Sequence, residues 1–351
     1  MPSQCPQQTD AFRDLYRIFA SRDGRVLEFE ILPSALGPIL EDDCSIGITK
    51  KYLVQAFVTA RRVFFDTLKL PYNGNHGIRE TPEQEHLDED QNLAIASEII
   101  LLFDCEHLTA CNWRKRRLRA LLRTGQETLI SALNTELSLM TTYLCSPLPR
   151  HTKSPTLWQH RLWVRTQLIE LRKPDFQASQ ELFQIELSVA LRAGELHPRN
   201  YYAFNYMRQI HRTVSESGAG ETGVWSVRLG QAIIMSTLDW CLAHPTDISG
   251  LMFLLYVLDV VPDAPLRLDI ASKVARFSLD IGWEGEGVWT FLDLAVRKFS
   301  LADSLGESQI YPWDILLNPI LSDRSHQGDS KTGMPWRMWL DRARIHWAQT
   351  R

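Results

Sequence analysis

Several common sources of function are missing from this chain. Its six cysteines form no C-x-x-C pair, which removes the usual signature of a zinc ribbon or a redox dithiol. Positive charge is not in excess: 38 Lys and Arg stand against 42 Asp and Glu, a formal charge of −4, so bulk electrostatics gives no case for nucleic-acid binding. No apolar run reaches 18 residues, so no membrane span is expected; patches such as Leu251–Leu258 are too short. Walker, H-E-x-x-H, G-x-S-x-G and kinase motifs are all absent. The ten histidines show no metal-ligand spacing. One G-x-G-x-x-G match, Gly218–Gly223, follows a helical pattern rather than a strand and reads as an inter-helix loop. The segment Met1–Asp10 is polar, with no signal-peptide pattern, and Gln349-Thr350-Arg351 carries no prenylation box. Reduced thiols and a cytoplasmic location are the expectation.

What is present is length and helical periodicity. With 351 residues and 44% apolar composition, the chain can bury a core without disulfides. Thr9 reads as an N-cap for a helix carrying Phe12, Leu15, Ile18 and Phe19 on one face, and Gly24 as its stop. Arg25–Leu32 alternates weakly, as a short strand does. From Thr49 to Leu70, Leu53, Phe57, Ala60, Phe64 and Leu68 recur at helical spacing. The acidic stretch Glu80–Asp90 reads as a solvated loop.

Beyond that point the sequence repeats. His107–Arg114, Ser154–Arg161, Asn200–Met207 and Asp247–Leu254 stack on one another. Their fifth positions are Cys111, Trp158, Phe204 and Leu251, separated by 47, 46 and 47 residues. Such a period marks a stack of supersecondary units, and it also falls in the range of other helical repeats, so spacing alone does not choose a family. Ser154, Asn200 and Asp247 carry the side-chain oxygen of an N-cap, and His107 is the weakest of the four. Pro155 stands at a first helical position, where its missing N–H costs nothing. Positions one, five and eight fall on one helix face. Another helical pattern precedes each motif: Asn92–Phe103, Glu127–Leu144, Glu181–Leu191 and Val224–Leu242. The unit is therefore a helix pair, which cannot bury its apolar face alone and must stack on its neighbours. Leu266–Leu279 and Val288–Phe299 read as a degenerate fifth pair.

The expected architecture is all-α, a right-handed superhelical solenoid of stacked helix pairs. Residues 1–48 hold a helix and a short strand; 49–300 form the solenoid, with motif helices near 107–121, 154–171, 200–214 and 247–260; 301–351 hold the loop Leu321–Gly333 and a capping helix from Pro335 with Trp336, Trp339, Leu340, Ala343 and Trp347. Trp158, Trp163 and Phe204 read as core. Arg114, Arg161 and Arg208 either line a partner surface or pair with carboxylates of neighbouring helices. The basic run from Trp113 to Arg123 reads as a charged helix face beside Leu118, Leu121 and Leu122; an acidic partner or a nuclear signal is the other reading.

Lys153–Arg161 (Lys-Ser-Pro-Thr-Leu-Trp-Gln-His-Arg), Asn200–Tyr206 (Asn-Tyr-Tyr-Ala-Phe-Asn-Tyr) and Thr246–Gly250 resemble the alpha-subunit repeat of protein prenyltransferases, a motif of the form Asn-Tyr-x-x-Trp-x-His/Tyr-Arg-Arg. Cys111 stands at the motif Trp, and Met207 and Leu254 at its first Arg. The resemblance implies an alpha-type subunit, inactive alone, that pairs with a beta subunit and helps transfer a farnesyl or geranylgeranyl group to a C-terminal cysteine of protein substrates. It places zinc and the isoprenoid diphosphate on the beta subunit, with no cofactor or metal in this chain. It implies a catalytic role for Lys153, whose ammonium would neutralise the leaving diphosphate, and for Tyr201, which would hydrogen-bond a phosphate oxygen. Tyr202 stands where the family often has His, and with Arg114, Arg161 and Arg208 it completes the expected substrate- and partner-binding set. The alternative is a non-catalytic helical-repeat adaptor holding a protein partner.

Overall fold

The computed structural model describes residues 10–69, 83–123, 125–217, 222–283 and 285–301. The Gly218-Ala-Gly-Glu221 part of the glycine-rich loop, the loop at Leu321–Gly333 and the C-terminal helix expected from Pro335 lie outside them, as does Thr9. Among the described residues the fold is all-α apart from one small sheet, in keeping with the repeat pattern. Contacts divide the chain into two compact units, Met1–Pro174 and Asp175–Arg351.

The first unit opens with α1 (Ala11–Ala20). Asp10 caps it, its Oδ1 accepting from Phe12 N at 3.1 Å and Arg13 N at 3.4 Å, in place of the expected Thr9. A three-stranded sheet follows: β1 (Glu28–Leu32), β2 (Ile39–Asp42) and β3 (Ser45–Thr49), in the order β1-β3-β2. β1 runs parallel to β3, with Phe29 opposite Ile46 and Ile31 opposite Ile48; β2 is antiparallel to it. Only β1 was foreseen in sequence, because β2 and β3 are short and the prolines and glycine before them read as breakers. The sheet does not stand apart from the helices. Leu27 N–H donates to Thr142 Oγ1 and Phe29 N–H to Ser146 Oγ, both at 2.9 Å, which closes the β1 edge with hydroxyls of α5 (Gln126–Leu144) and the residues after it.

Next come α2 (Lys50–Lys69), α3 (Glu83–Phe103), α4 (Leu108–Ala120), α5, and α6 (Pro155–Arg172). α3 begins at Glu83, so most of the acidic stretch expected to be a loop is helix instead. Acidic residues suit the N-terminal turns of a helix, where its dipole favours negative charge. α2 packs on α3 and α5 on α6. The second unit contains α7 (Phe176–Leu196), α8 (Tyr201–Glu216), α9 (Thr222–Ala243), α10 (Ile248–Val260), α11 (Ala264–Asp280) and α12 (Glu286–Phe299), packed as consecutive pairs. The fifth pair expected after Leu258 is α11 with α12.

The motif logic holds in all four units. His107 Nδ1 accepts from Ala110 N at 3.2 Å, so the weak member caps through its ring nitrogen. Ser154 Oγ accepts from Leu157 N at 3.1 Å and Asn200 Oδ1 from Ala203 N at 3.2 Å. Asp247 Oδ1 takes Ser249 N at 2.9 Å and Gly250 N at 3.1 Å. Cys111, Trp158, Phe204 and Leu251 are buried, and so are the eighth positions Arg114, Arg161, Met207 and Leu254. Two caps also tie their unit to the one before. Ser154 Oγ donates to Cys105 O at 3.0 Å, and Asp247 Oδ2 accepts from Arg199 N at 2.6 Å. The indole of Trp240 needs glycine on both sides. A Cβ on Gly250 would lie 2.5 Å from its Cζ3, and one on Gly194 2.9 Å from its Cζ2.

Asp247 therefore holds three backbone donors while 1% exposed. Asp247→Ala should lower the unfolding free energy by about 2 kcal/mol, the upper end of lost caps. Chemical denaturation followed by circular dichroism checks this, and a loss below about 0.5 kcal/mol would contradict the double role of cap and tether.

Candidate functional site

Lys153 ends a short 3-10 turn, His151–Lys153, that leads into α6. Its neighbours fix this turn. His151 Nε2 bonds Leu101 O at 3.0 Å, Trp158 Nε1–H donates to Thr152 O at 2.8 Å, and Ser154 N donates to His151 O at 3.0 Å. His151, Thr152 and Ser154 are buried, and Lys153 alone of the four is exposed. Its ammonium is thus carried on rigid backbone beside a helix N-terminus, where partial positive charge already favours anions.

Tyr201 opens α8 and is 60% exposed; Tyr202 is 40% exposed. Their rings meet edge to face at 5.7 Å. The backbone before them is pinned by Asn200, whose Nδ2 donates to Ala193 O at 3.4 Å, and by Arg199, whose N–H reaches Asp247 at a left-handed φ of 61°. Lys153 belongs to the first unit and Tyr201 to the second.

The arginines divide. Arg114, expected as a partner-surface residue or an internal ion pair, is the latter, because its whole fork is used inside the first unit. Nε donates to Glu136 Oε1 at 2.8 Å, Nη2 to Glu136 Oε2 at 2.6 Å and to Glu98 Oε1 at 3.2 Å, and Nη1 to Ala94 O and Ser97 Oγ. Arg161 is also buried, with Nη1 donating to Leu137 O at 3.2 Å and Thr141 Oγ1 at 2.8 Å. Neither guanidinium is displayed on a partner surface. Arg208 is half-buried on α8, over the rings of Phe253 and Tyr256. In the basic run, Lys115 and Arg119 lie over the Trp163 ring and Arg117 pairs with Asp90 at 2.6 Å, so much of it is a helix face, as expected.

Sequence reasoning missed the glutamates that organise these pairs. His160, at motif position seven, bonds Glu136 Oε1 at 2.7 Å, and Tyr206, at the same position of the next unit, donates to Glu186 Oε2. The motif His/Tyr thus seeks a carboxylate on the helix before it. Burial alone would raise the Glu136 carboxyl, but the Arg114 guanidinium and the His160 N–H outweigh it and hold it well below the usual range. Arg114 is pushed up in turn: burial opposes its charge, and Glu136 and Glu98 prevail. Burial raises the Cys111 thiol to about 12, and Cys241 also rises by burial, so neither is a poised nucleophile.

Residues 183–214, most of α7 and α8, match the family model described as "Protein prenyltransferase alpha subunit repeat". The chain is 25% identical over 201 residues to the human "Protein prenyltransferase alpha subunit repeat-containing protein 1", a match covering 54% of this chain and 45% of that protein. It is 26% identical over 202 residues to the zebrafish (Danio rerio) protein of the same name, covering 54% and 42%. The match thus spans less than half the length of either relative. Residues 183–214, on α7 and α8, thus match a protein prenyltransferase alpha subunit repeat, and the chain is similar to proteins named for that repeat.

Proposed function

We propose that the chain is an alpha-type subunit of a protein prenyltransferase, acting in the cytoplasm with a beta subunit to place a farnesyl or geranylgeranyl group on a C-terminal cysteine of protein substrates. The observation that carries this reading is a contrast within the repeat. Its caps Ser154, Asn200 and Asp247 and its fifth and eighth residues are buried, while Lys153 and Tyr201, the two positions the family resemblance assigns to chemistry, are exposed at helix starts. A lysine and a phenol on rigid backbone suit a transition state in which negative charge grows on a departing diphosphate. Lys153 supplies a full charge, and Tyr201 a single O–H donor. Tyr202 adds a second phenol where the family often has imidazole. The diphosphate and zinc belong to the beta subunit in this reading.

Co-expression with a prenyltransferase beta subunit and labelled isoprenoid diphosphates tests it. The chain alone should show no transfer, and a one-to-one complex should show turnover. Lys153→Ala should cut that turnover about 10- to 100-fold, the scale of one lost charge-stabilising group, with the complex intact by size exclusion. Full turnover in the variant would remove Lys153 from the chemistry. Failure to pair with any prenyltransferase beta subunit would favour the adaptor reading.

A further inference from the structure

Arg208 and Arg212 stand one helical turn apart on α8, and the rings of Phe253 and Tyr256 on α10 support the first of them at 5.7 and 5.6 Å. Among the described residues neither arginine has a carboxylate within ion-pair distance. Other charges nearby are spoken for: Asp259, which acts on Tyr256, is paired with Lys298 at 2.8 Å. The phenol is also committed. His211 Nε2 faces Ser226 O at 3.0 Å, so that nitrogen carries the proton, and Nδ1 must accept the Tyr256 O–H at 2.8 Å. Burial disfavours the Arg208 charge, and the Tyr256 and Tyr201 phenols offset part of it. A half-desolvated guanidinium stacked on aromatic faces, with its edge N–H groups unspent, gains most from a planar anion held in the plane of its fork.

We propose that the Arg208–Arg212 face of α8, backed by Tyr256 and Phe253, is a docking surface for an Asp- or Glu-bearing segment of a partner protein. The donors decide between carboxylate and phosphate. Arg208 and Arg212 lie inside α8, where backbone N–H groups are bound within the helix, and the Tyr256 hydroxyl proton is held by His211. Two planar forks match one or two carboxylates, and the surface has no nest of amides to wrap a phosphoryl group. The inference goes beyond prenyl transfer and does not depend on it, since an alpha subunit and an adaptor would both use such a face.

The test is fluorescence anisotropy of the purified full chain with a labelled helical peptide carrying Glu at i and i+4 positions. Wild type should bind it, and Arg208→Gln and Arg212→Gln should each weaken binding at least about fivefold, the effect of losing one charged partner of a carboxylate. Arg228→Gln, which removes another ring-stacked arginine of the same unit 3.7 Å from Phe176, should leave binding unchanged. Inorganic phosphate should compete no better than sodium chloride at equal ionic strength. Arg212 is exposed, so its variant keeps the test valid if Arg208→Gln misfolds. Wild-type binding in both variants, equal loss in Arg228→Gln, or displacement by phosphate would each overturn the proposal.

Discussion

Arg114→Ala is expected to lower the unfolding free energy by about 3–5 kcal/mol, the cost of leaving buried carboxylates without their cation. The guanidinium is 3% exposed and lies between Glu98 of α3 and Glu136 of α5. Removing it strands both, since Arg22 reaches Glu98 only at 3.6 Å and His160 reaches Glu136 through a single nitrogen. It also releases Ala94 O and Ser97 Oγ. Arg114→Lys keeps the charge but not the fork, so it should fall between wild type and alanine. Guanidinium denaturation of the three proteins, read at constant slope, measures the series. A loss below about 1 kcal/mol for alanine would mean that water enters and solvates the glutamates, contradicting the dry network. The network joins α3, α4, α5 and α6, so the same variant should loosen the turn that carries Lys153.

That network shows what the sequence could and could not reveal. The caps were legible because an N-cap needs only a side-chain oxygen three residues before a backbone donor, and Ser154, Asn200 and Asp247 announce themselves locally. The buried fifth positions were legible from the 46–47-residue register. Arg114 was only half legible: a partner surface and pairing with carboxylates of a neighbouring helix were both open, because a basic run on an amphipathic helix does not say which member turns inward. Its partners carried a usable signal. Glu136 lies among Leu133, Leu137 and Met140, and Glu186 among Phe183, Leu187 and Ala190, at core-facing positions of their helices. A carboxylate in an apolar stripe predicts a buried cation or an N–H or O–H donor, and the motif His160 and Tyr206 meet that need. The sheet was half legible: β1 alternates, but its parallel pairing with β3 is a non-local contact that no window of sequence contains. The start of α3 was misread because acidic composition suits a solvated loop and a helix N-terminus equally. For the chemistry, sequence pointed to Lys153 and Tyr201 only through resemblance. Their shared property, exposure on pinned backbone, comes from three-dimensional neighbours such as Leu101 and Asp247.

Acid should destabilise the chain as pH falls below the ordinary histidine range, and His151 is one reason. Its Nε2 faces Leu101 O, a carbonyl that can only accept, so Nε2 carries the proton and Nδ1 is bare. Nδ1 is buried with no hydrogen-bond partner, so a proton added there would place a charge in an apolar setting. Burial is the largest influence and lowers the group to about 4, against the pull of the Leu101 and Leu102 carbonyls, Asp104 and Glu106. The unfolded chain takes up this proton near 6.5 and the folded chain only near 4. Between those values the unfolded state binds more protons, so stability is whole above pH 6.5 and falls as pH drops toward 4. The loss amounts to about 3 kcal/mol at 1.36 kcal/mol per unit. His160 and His211, also lowered chiefly by burial, act in the same direction. Glu136, held low, extends the decline further down, because its contribution disappears as it is protonated. Urea midpoints at pH 7.5, 6.0 and 5.0 should therefore decrease steadily. His151→Gln, which can keep the donor to Leu101 without a titrating nitrogen, should flatten the slope while costing some stability at pH 7.5. Equal midpoints at pH 7.5 and 5.0 in the wild type, or an unchanged slope in the variant, would show that His151 is free to charge in the folded state.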